Sequence, residues 1–211
     1  EWILYDSEGD QLIYSKEIIA CGSWSEKLIS NSNDLIQPSI LSFYGVGSAL
    51  LFQSELPYID LPYLNNTIRT PNRGGTCGIH GLNRKDRLYI GASSHVTNLP
   101  LKYPIGPSIE ALISGTKLVV DLNVYQLSFE IVMGYRPVTS DIVPIIGKLA
   151  EGVYCIYGTK RDGFTWAPFF SKCILDLFEN TNTRNHELLD LCLPSRSPVS
   201  FGSVDQCIDY Y

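Results

Sequence analysis

The chain has 211 residues, 45% of them hydrophobic, and carries 16 Lys and Arg against 22 Asp and Glu for a formal charge of −6. That composition builds a packed core and excludes a disordered chain, while the acidic balance excludes a nucleic-acid backbone as the main partner, because phosphate neutralisation needs surplus cations on one face. No run approaches the roughly 18 to 20 apolar residues of a membrane span, and nothing resembles an export signal, so a cytoplasmic chain without a membrane partner is expected.

In chain order, Trp2 to Tyr5 and Gln11 to Tyr14 alternate as strands around the turn-rich Asp6-Ser7-Glu8-Gly9-Asp10 and predict a hairpin. A third strand, Glu17 to Cys21, stops at Gly22. After the polar stretch Ser30 to Asp34, Ser39 to Phe52 reads as an extended strand interrupted by Gly45 and Gly47. Asn72 to Gly81 reads as a glycine-rich loop and Arg87 to Ser94 as a strand. Ile109, Leu112, Ile113, Thr116, Val119 and Val120 recur three or four apart, which predicts an amphipathic helix opening at Pro107-Ser108.

Leu127 to Tyr135 returns to strand. In GYRPVTSDIVPIIG, residues 134 to 147, Pro137 keeps Arg136 out of helical dihedrals, Ser140-Asp141 turns the chain, and Val143 to Ile146 reads as a buried edge; Arg136 is expected at a strand end. Gly152 to Tyr157 is the last strand. Trp166 to Glu179 reads as a helix with Phe169, Phe170, Cys173, Ile174, Leu177 and Phe178 on one face and Pro168 in the first turn. Many strands with few helices give an α+β class, a mixed, largely antiparallel sheet with flanking helices. The stretch after Asn180 is expected to be a wrapping tail.

Chemistry-bearing patterns are sparse. The histidines at 80, 95 and 186 are scattered, so no metal site is expected. GxSxG is absent, and Gly45-Val46-Gly47 lacks the third glycine and the helix of a dinucleotide fingerprint. The six cysteines, at 21, 77, 155, 173, 192 and 207, show neither CxxC pairing nor scaffold density and read mostly as small buried apolar residues. Asn65-Asn66-Thr67 matches a glycosylation sequon, a triplet that chance produces often. Two junctions stand out: in IIACGSWS a strand ends at Cys21-Gly22, and in VYCIYGTKRDGFTWAP another ends at Gly158 before a charged loop and a helix. A glycine at a strand exit admits a flat ligand, and a helix N-terminus adds free N–H donors and partial positive charge.

Four blocks in order, EIIACGSWSEKL, DRLYIGASS, GYRPVTSDIVPIIG and YGTKRDGFTWAPFFSKCILDLF, resemble the C-terminal part of the D-amino-acid oxidase and glycine oxidase superfamily of FAD-dependent oxidoreductases. The resemblance covers most of residues 1 to 180. It implies that Arg136 grips a substrate carboxylate, with Tyr135 and Tyr44 as further substrate contacts and Tyr89 and Trp166 as possible pocket walls. It also implies that Cys21, Gly22 and Trp24 lie against the flavin, Cys21 replacing the usual alanine, and that Gly158, Arg161, Gly163, Phe164 and Thr165 line the ring edge, with a helix opening near Thr165. Thr159 stands where the family has histidine, and Asp162 where asparagine is common.

The implied chemistry is hydride transfer from a carboxylate-bearing amine or amino acid to FAD, with no side chain assigned as catalytic. The family's dinucleotide fingerprint is absent here. FAD binding is therefore expected to depend on a missing N-terminal portion, the chain to begin truncated, and the isolated chain to be incompetent and prone to self-association. The expected organisation is 1–30 as the returning part of the flavin domain, 31–135 for substrate, 136–180 returning to the flavin, and 181–211 as the tail. The alternative is a non-catalytic subunit or degenerate relative acting as a partner or scaffold. The oxidase reading requires Arg136 and the helix start to converge on one ligand-sized gap.

Overall fold

The computed structural model describes residues 2–5, 8–53, 67–71, 76–84, 87–118, 127–179, 181 and 186–199. Parts of several expectations lie outside these residues: the tip of the first hairpin at 6–7, Asn65 and Asn66 of the sequon, 72–75 of the glycine-rich stretch, 119–121 of the first predicted helix, and 200–211 of the tail. The chain forms two compact units, Glu1–Tyr44 with Arg136–Phe201, and Gly45–Tyr135 with Gly202–Tyr211.

The first unit opens with the antiparallel hairpin β1 (Trp2–Tyr5) and β2 (Gln11–Tyr14), in register from Trp2↔Tyr14 to Tyr5↔Gln11. Strand β3 (Glu17–Ile19) follows, then a 3₁₀ turn (Gly22–Trp24) and helix α1 (Ser25–Ser30). Its other elements come from later in the chain and are named below in order.

The second unit contains most of β4 (Ser42–Gln53), then β5 (Ile68–Arg69), β6 (Thr76–Arg84), β7 (Arg87–Ser93), β8 (His95–Thr97), helix α2 (Gly106–Thr116), and the first part of β9 (Phe129–Thr139). The described strands form a sheet of order β5-β6-β7-β4-β8, with β9 also pairing β4. Pairs β5–β6, β6–β7 and β4–β7 are antiparallel. Leu50, Phe52, Ile79, Leu88, Ile90 and Leu112 make its core. Two expectations change here. Thr76 to Gly81 is strand rather than loop, because β6 has a partner on each side and ladder bonds outweigh the poor strand preference of glycine. Strand β4 runs unbroken through Gly45 and Gly47, both buried.

The first unit is completed by β10 (Ile145–Ala150), β11 (Val153–Tyr157), α3 (Gly163–Glu179) and α4 (His186–Asp190). Its three-stranded sheet has the order β10-β11-β3. Strands β10 and β11 are antiparallel, whereas β11 and β3 are parallel, with Val153 opposite Glu17 and Cys155 opposite Ile19. Both faces are buried. Ile145, Val153, Cys155 and Tyr157 join Ile19, Ile29 and Ile40 in one cluster, while Ile146 and Tyr154 join Phe170, Cys173, Ile174, Leu189 and Cys192 in another. Period-2 alternation with apolar residues on both sides is the signature of a covered strand.

Helix α3 buries the predicted face, Phe170, Cys173 and Ile174 fully, each worth about 1.5–3 kcal/mol of apolar burial for the larger side chains. Lys16 caps its far end, Nζ donating to Phe178 O at 2.7 Å and lying 5.1 Å above the Phe178 ring. The described residues after α4 make backbone contacts with the rest of the first unit. Ile146 N donates to Cys192 O at 2.8 Å and Ser39 N to Pro194 O at 2.9 Å, and Cys192, like Leu189 of α4, is part of the core. No helix among the described residues is long and apolar enough to cross a membrane.

Candidate functional site

Parallel pairing of β3 with β11 points both strands toward the same end of the sheet; Gly158 follows β11 directly, and Gly22 comes three residues after β3, which ends at Ile19 rather than at the expected Cys21. The crevice outside the carboxyl ends of adjacent parallel strands is the usual ligand position in such sheets. At the β3 exit, Gly22 has φ +58 and open space where a Cβ would stand. Ser23 Oγ in the same turn is buried without a partner in the protein, as is Ser25 Oγ. At the β11 exit Gly158 has φ +82, and a Cβ there would lie 2.6 Å from Thr139 Cγ2. Glycine is therefore required at both exits, at Gly22 by backbone conformation alone and at Gly158 by conformation together with packing.

Arg136 lies within β9, three residues before its end at Thr139, rather than at the strand terminus. The strand continues because Pro137, which has no N–H, still offers its carbonyl: Lys160 N donates to Pro137 O at 2.8 Å, and Val138 bridges Thr159. The turn that follows is the predicted Ser140-Asp141 turn, with Ile142 N donating to Thr139 O at 3.1 Å and Ile142 at φ +57.

From Lys160 the chain enters α3. Asp162 N donates to Thr159 O at 2.9 Å, and Trp166 N closes the first helical bond on Asp162 O at 3.0 Å. The helix therefore opens at Gly163, two residues before the expected point, because Asp162 supplies the capping position that aspartate favours. Pro168 is the sixth residue of α3, past the first turn. The amides of Gly163, Phe164 and Thr165 precede the first helical bond and carry the positive end of the helix dipole. Phe164 is 99% exposed, and Arg161 and Thr165 are also exposed. The Arg136 strand and the helix start are thus direct neighbours, joined at Pro137–Lys160.

Trp24, 43% exposed, meets Tyr44 edge-on with ring centroids 5.4 Å apart, which brings a predicted flavin contact and a predicted substrate contact together. Cys21 is exposed beside them. Trp166 stacks on Phe170 at 5.4 Å and 11° and belongs to the core cluster. Tyr135 and Tyr89 belong to the second unit, where the Tyr135 hydroxyl donates to Leu101 O and the Tyr89 ring lies 5.8 Å from His80. Cys155, Cys173 and Cys192 are buried, and burial pushes the Cys155 thiol up to about 12 and the Cys192 thiol up to about 11. Those three thiols are core residues without nucleophilic character.

Pattern reasoning missed one feature. Asp141 and Arg196, whose side chains are 2% and 4% exposed, form a buried ion pair. Arg196 Nη2 reaches Asp141 Oδ1 at 2.9 Å and Oδ2 at 3.0 Å, and Nε reaches Oδ2 at 3.2 Å. The only signals were an acid in a turn before an apolar run and an arginine in a proline-punctuated segment.

Residues 2–177 match the family described as FAD dependent oxidoreductase. The chain belongs to this family. Among solved structures it is similar to glycine oxidase from Bacillus cereus (22% identity, TM-score 0.61, 86% of this chain and 47% of that one) and glycine oxidase from Geobacillus kaustophilus (22%, 0.63, 86% and 46%). It is also similar to L-proline dehydrogenase from P. horikoshii (16%, 0.68, 92% and 50%). At these identities the likeness establishes the fold, an α+β arrangement of mixed strands and flanking helices. The chain spans about half the length of the solved structures it matches. No curated protein is matched.

Proposed function

We propose that this member of the FAD dependent oxidoreductase family oxidises a small amine or amino acid that bears a carboxylate, and that its first unit supplies the flavin-ring contacts and the carboxylate-binding arginine. The observation that carries this is the convergence, within one unit, of the two glycine exits at the carboxyl ends of β3 and β11 with the α3 N-terminus and the Arg136 strand. In this reading residues 1–30 and 136–180, Arg136 apart, return to the flavin, and 31–135 with Arg136 serve the substrate.

The residues present suit a flat, electron-accepting group. Gly22 leaves open space over the backbone, Ser23 carries a hydroxyl still in need of a partner, and the first-turn amides of α3 favour negative charge. Cys21, Gly22 and Trp24 would hold one side of the ring; Gly158, Arg161, Gly163, Phe164 and Thr165 would hold the other. The bound flavin supplies the chemistry, acceptance of a hydrogen with its electron pair from the substrate carbon that carries the amine. The protein's share is orientation. The planar guanidinium of Arg136 matches two carboxylate oxygens in a way that lysine cannot, and Tyr44, edge-on to Trp24, would give the substrate an aromatic wall beside the flavin contact.

Two measurements test this. Supplied with a complementary dinucleotide-binding portion, the chain titrated with FAD should retain the visible flavin bands through gel filtration, and alone it should not. In the flavin-loaded protein, Arg136→Ala should raise KM for a carboxylate-bearing amine with kcat held, about 10- to 100-fold for loss of a charged hydrogen-bonded contact, and Arg136→Lys should fall between. An unaltered KM in Arg136→Ala removes the arginine from the site.

A further inference from the structure

A buried ion pair adds little net stability compared with apolar residues of similar volume, and its best attested use is to fix one arrangement of neighbouring segments among several. The contacts of Asp141 and Arg196 join the turn that follows the Arg136 strand to the C-terminal segment. Arg196 Nη2 donates to Val143 O at 2.8 Å, and Nη1 to Leu193 O at 3.2 Å. Asp141 Oδ1 accepts from Val143 N and Oδ2 from Val199 N, each at 3.2 Å. One guanidinium and one carboxylate thus tie the C-terminal segment to both backbone groups of Val143.

From that turn the contacts run without a break to the candidate site. Thr139 Oγ1 donates to Val143 O at 2.9 Å, so the same carbonyl is shared by Thr139 and Arg196. The methyl of Thr139 closes on Gly158 so tightly that a Cβ there would stand 2.6 Å away. The next residue, Thr159, bridges Val138, Lys160 N holds Pro137 O, and Asp162 N holds Thr159 O. Every group in this series lies in the first unit.

We propose that Asp141 and Arg196 are positioning residues: the pair sets the turn at 140–143, and through Thr139 and Gly158 it fixes the junction that presents Arg136 and opens α3. This rests on the reading that Arg136 grips the substrate carboxylate. The C-terminal segment at 193–199 thereby becomes part of the site's support.

The test uses the full chain with Arg196→Met, which keeps volume and removes the charge, Arg196→Lys, which keeps the charge and loses the fork, and Asp141→Asn. Amide hydrogen exchange read residue by residue should show Lys160 and Asp162 exchanging about tenfold faster or more in Arg196→Met, while the β11 amides bonded to β3 and β10 keep their protection. Arg196→Lys should recover only part of it, and Asp141→Asn should place the loss at the same amides. Equal acceleration throughout the first unit would mean a general structural role, and no change at Lys160 and Asp162 would mean no connection; either overturns the proposal.

In the flavin-loaded protein, Arg196→Met should raise KM for a carboxylate-bearing amine by a larger factor than for an amine lacking the carboxylate. A matching loss on both substrates would count against positioning of Arg136. The exchange measurement needs neither flavin nor substrate, so its failure would sink the positioning role alone. An Arg136→Ala variant with normal KM would sink the carboxylate reading and leave the exchange result standing.

Discussion

Gly158→Ala isolates the contact on which the β11 exit depends. At φ +82 an L-residue is strained by about 1–2 kcal/mol in the left-handed region. The new Cβ would also stand 2.6 Å from Thr139 Cγ2, against a comfortable carbon–carbon separation of about 3.5–4.0 Å. Pro144 Cα at 3.4 Å and Ile145 N at 3.5 Å close the other directions. Thr139 is buried and its hydroxyl is engaged by Val143 O, so pushing its methyl aside adds an overpacking cost of about 1–3 kcal/mol. The expected loss is therefore about 2–5 kcal/mol in all. Thr139→Ser removes the offending methyl and keeps the hydroxyl; alone it should cost about 1 kcal/mol, the value of one buried methyl group. Placed together, the two substitutions should be less harmful than their sum by about 1–2 kcal/mol, since the serine relieves the clash and leaves the dihedral strain. Urea unfolding followed by tryptophan emission suits the measurement, because Trp2, Trp24 and Trp166 all fall in the segments that make the first unit. A cost below about 1 kcal/mol for Gly158→Ala, or strict additivity with Thr139→Ser, would refute the packing argument.

Two further outcomes are expected. Alanine favours a helix over glycine by about 1 kcal/mol, yet Gly115→Ala in α2 should destabilise, by up to about 2 kcal/mol, because its Cβ would stand 2.5 Å from Ile79 Cγ1; a raised melting temperature would refute this. The buried thiols make stability fall in alkali. A folded-state pKa raised from the ordinary thiol value of 9.0 to about 12 at Cys155 means that the unfolded chain loses its proton first, so the contribution is whole below pH 9 and is lost as pH rises from there toward 12. Cys155→Ala should remove about 1.4 kcal/mol per pH unit from that slope, checked by urea midpoints across the range, and an unchanged slope would mean that the thiol ionises freely in the fold.

How much of this was legible depended on the range of the interaction. The first hairpin and the apolar face of α3 were readable because alternation and 3.6-residue spacing are local and each element needs only one buried side. Thr76–Gly81 misled because Gly78 and Gly81 weaken a strand taken singly, and its glycines hid a strand that pairs with its neighbours in the chain on both sides, β5 and β7. The site motifs were legible as wording, and the sequence could suggest that two strands end at glycine. It could not say that β3 and β11 lie side by side and parallel, since about 130 residues separate them along the chain.

The same reasoning explains why the arginine that seemed most firmly fixed was only half of the matter. Pro137 constrains the backbone next to Arg136, but a constrained dihedral gives direction only relative to whatever holds the strand. That anchor is built from residues 139–143, 158–160 and 193–199, which no local pattern joins. A carboxylate-binding guanidinium must be held to within a fraction of an ångström to form two hydrogen bonds at once. Short-range sequence grammar therefore identifies the arginine as a candidate, while a buried charge pair 55 residues apart in the chain supplies the support that such a role demands.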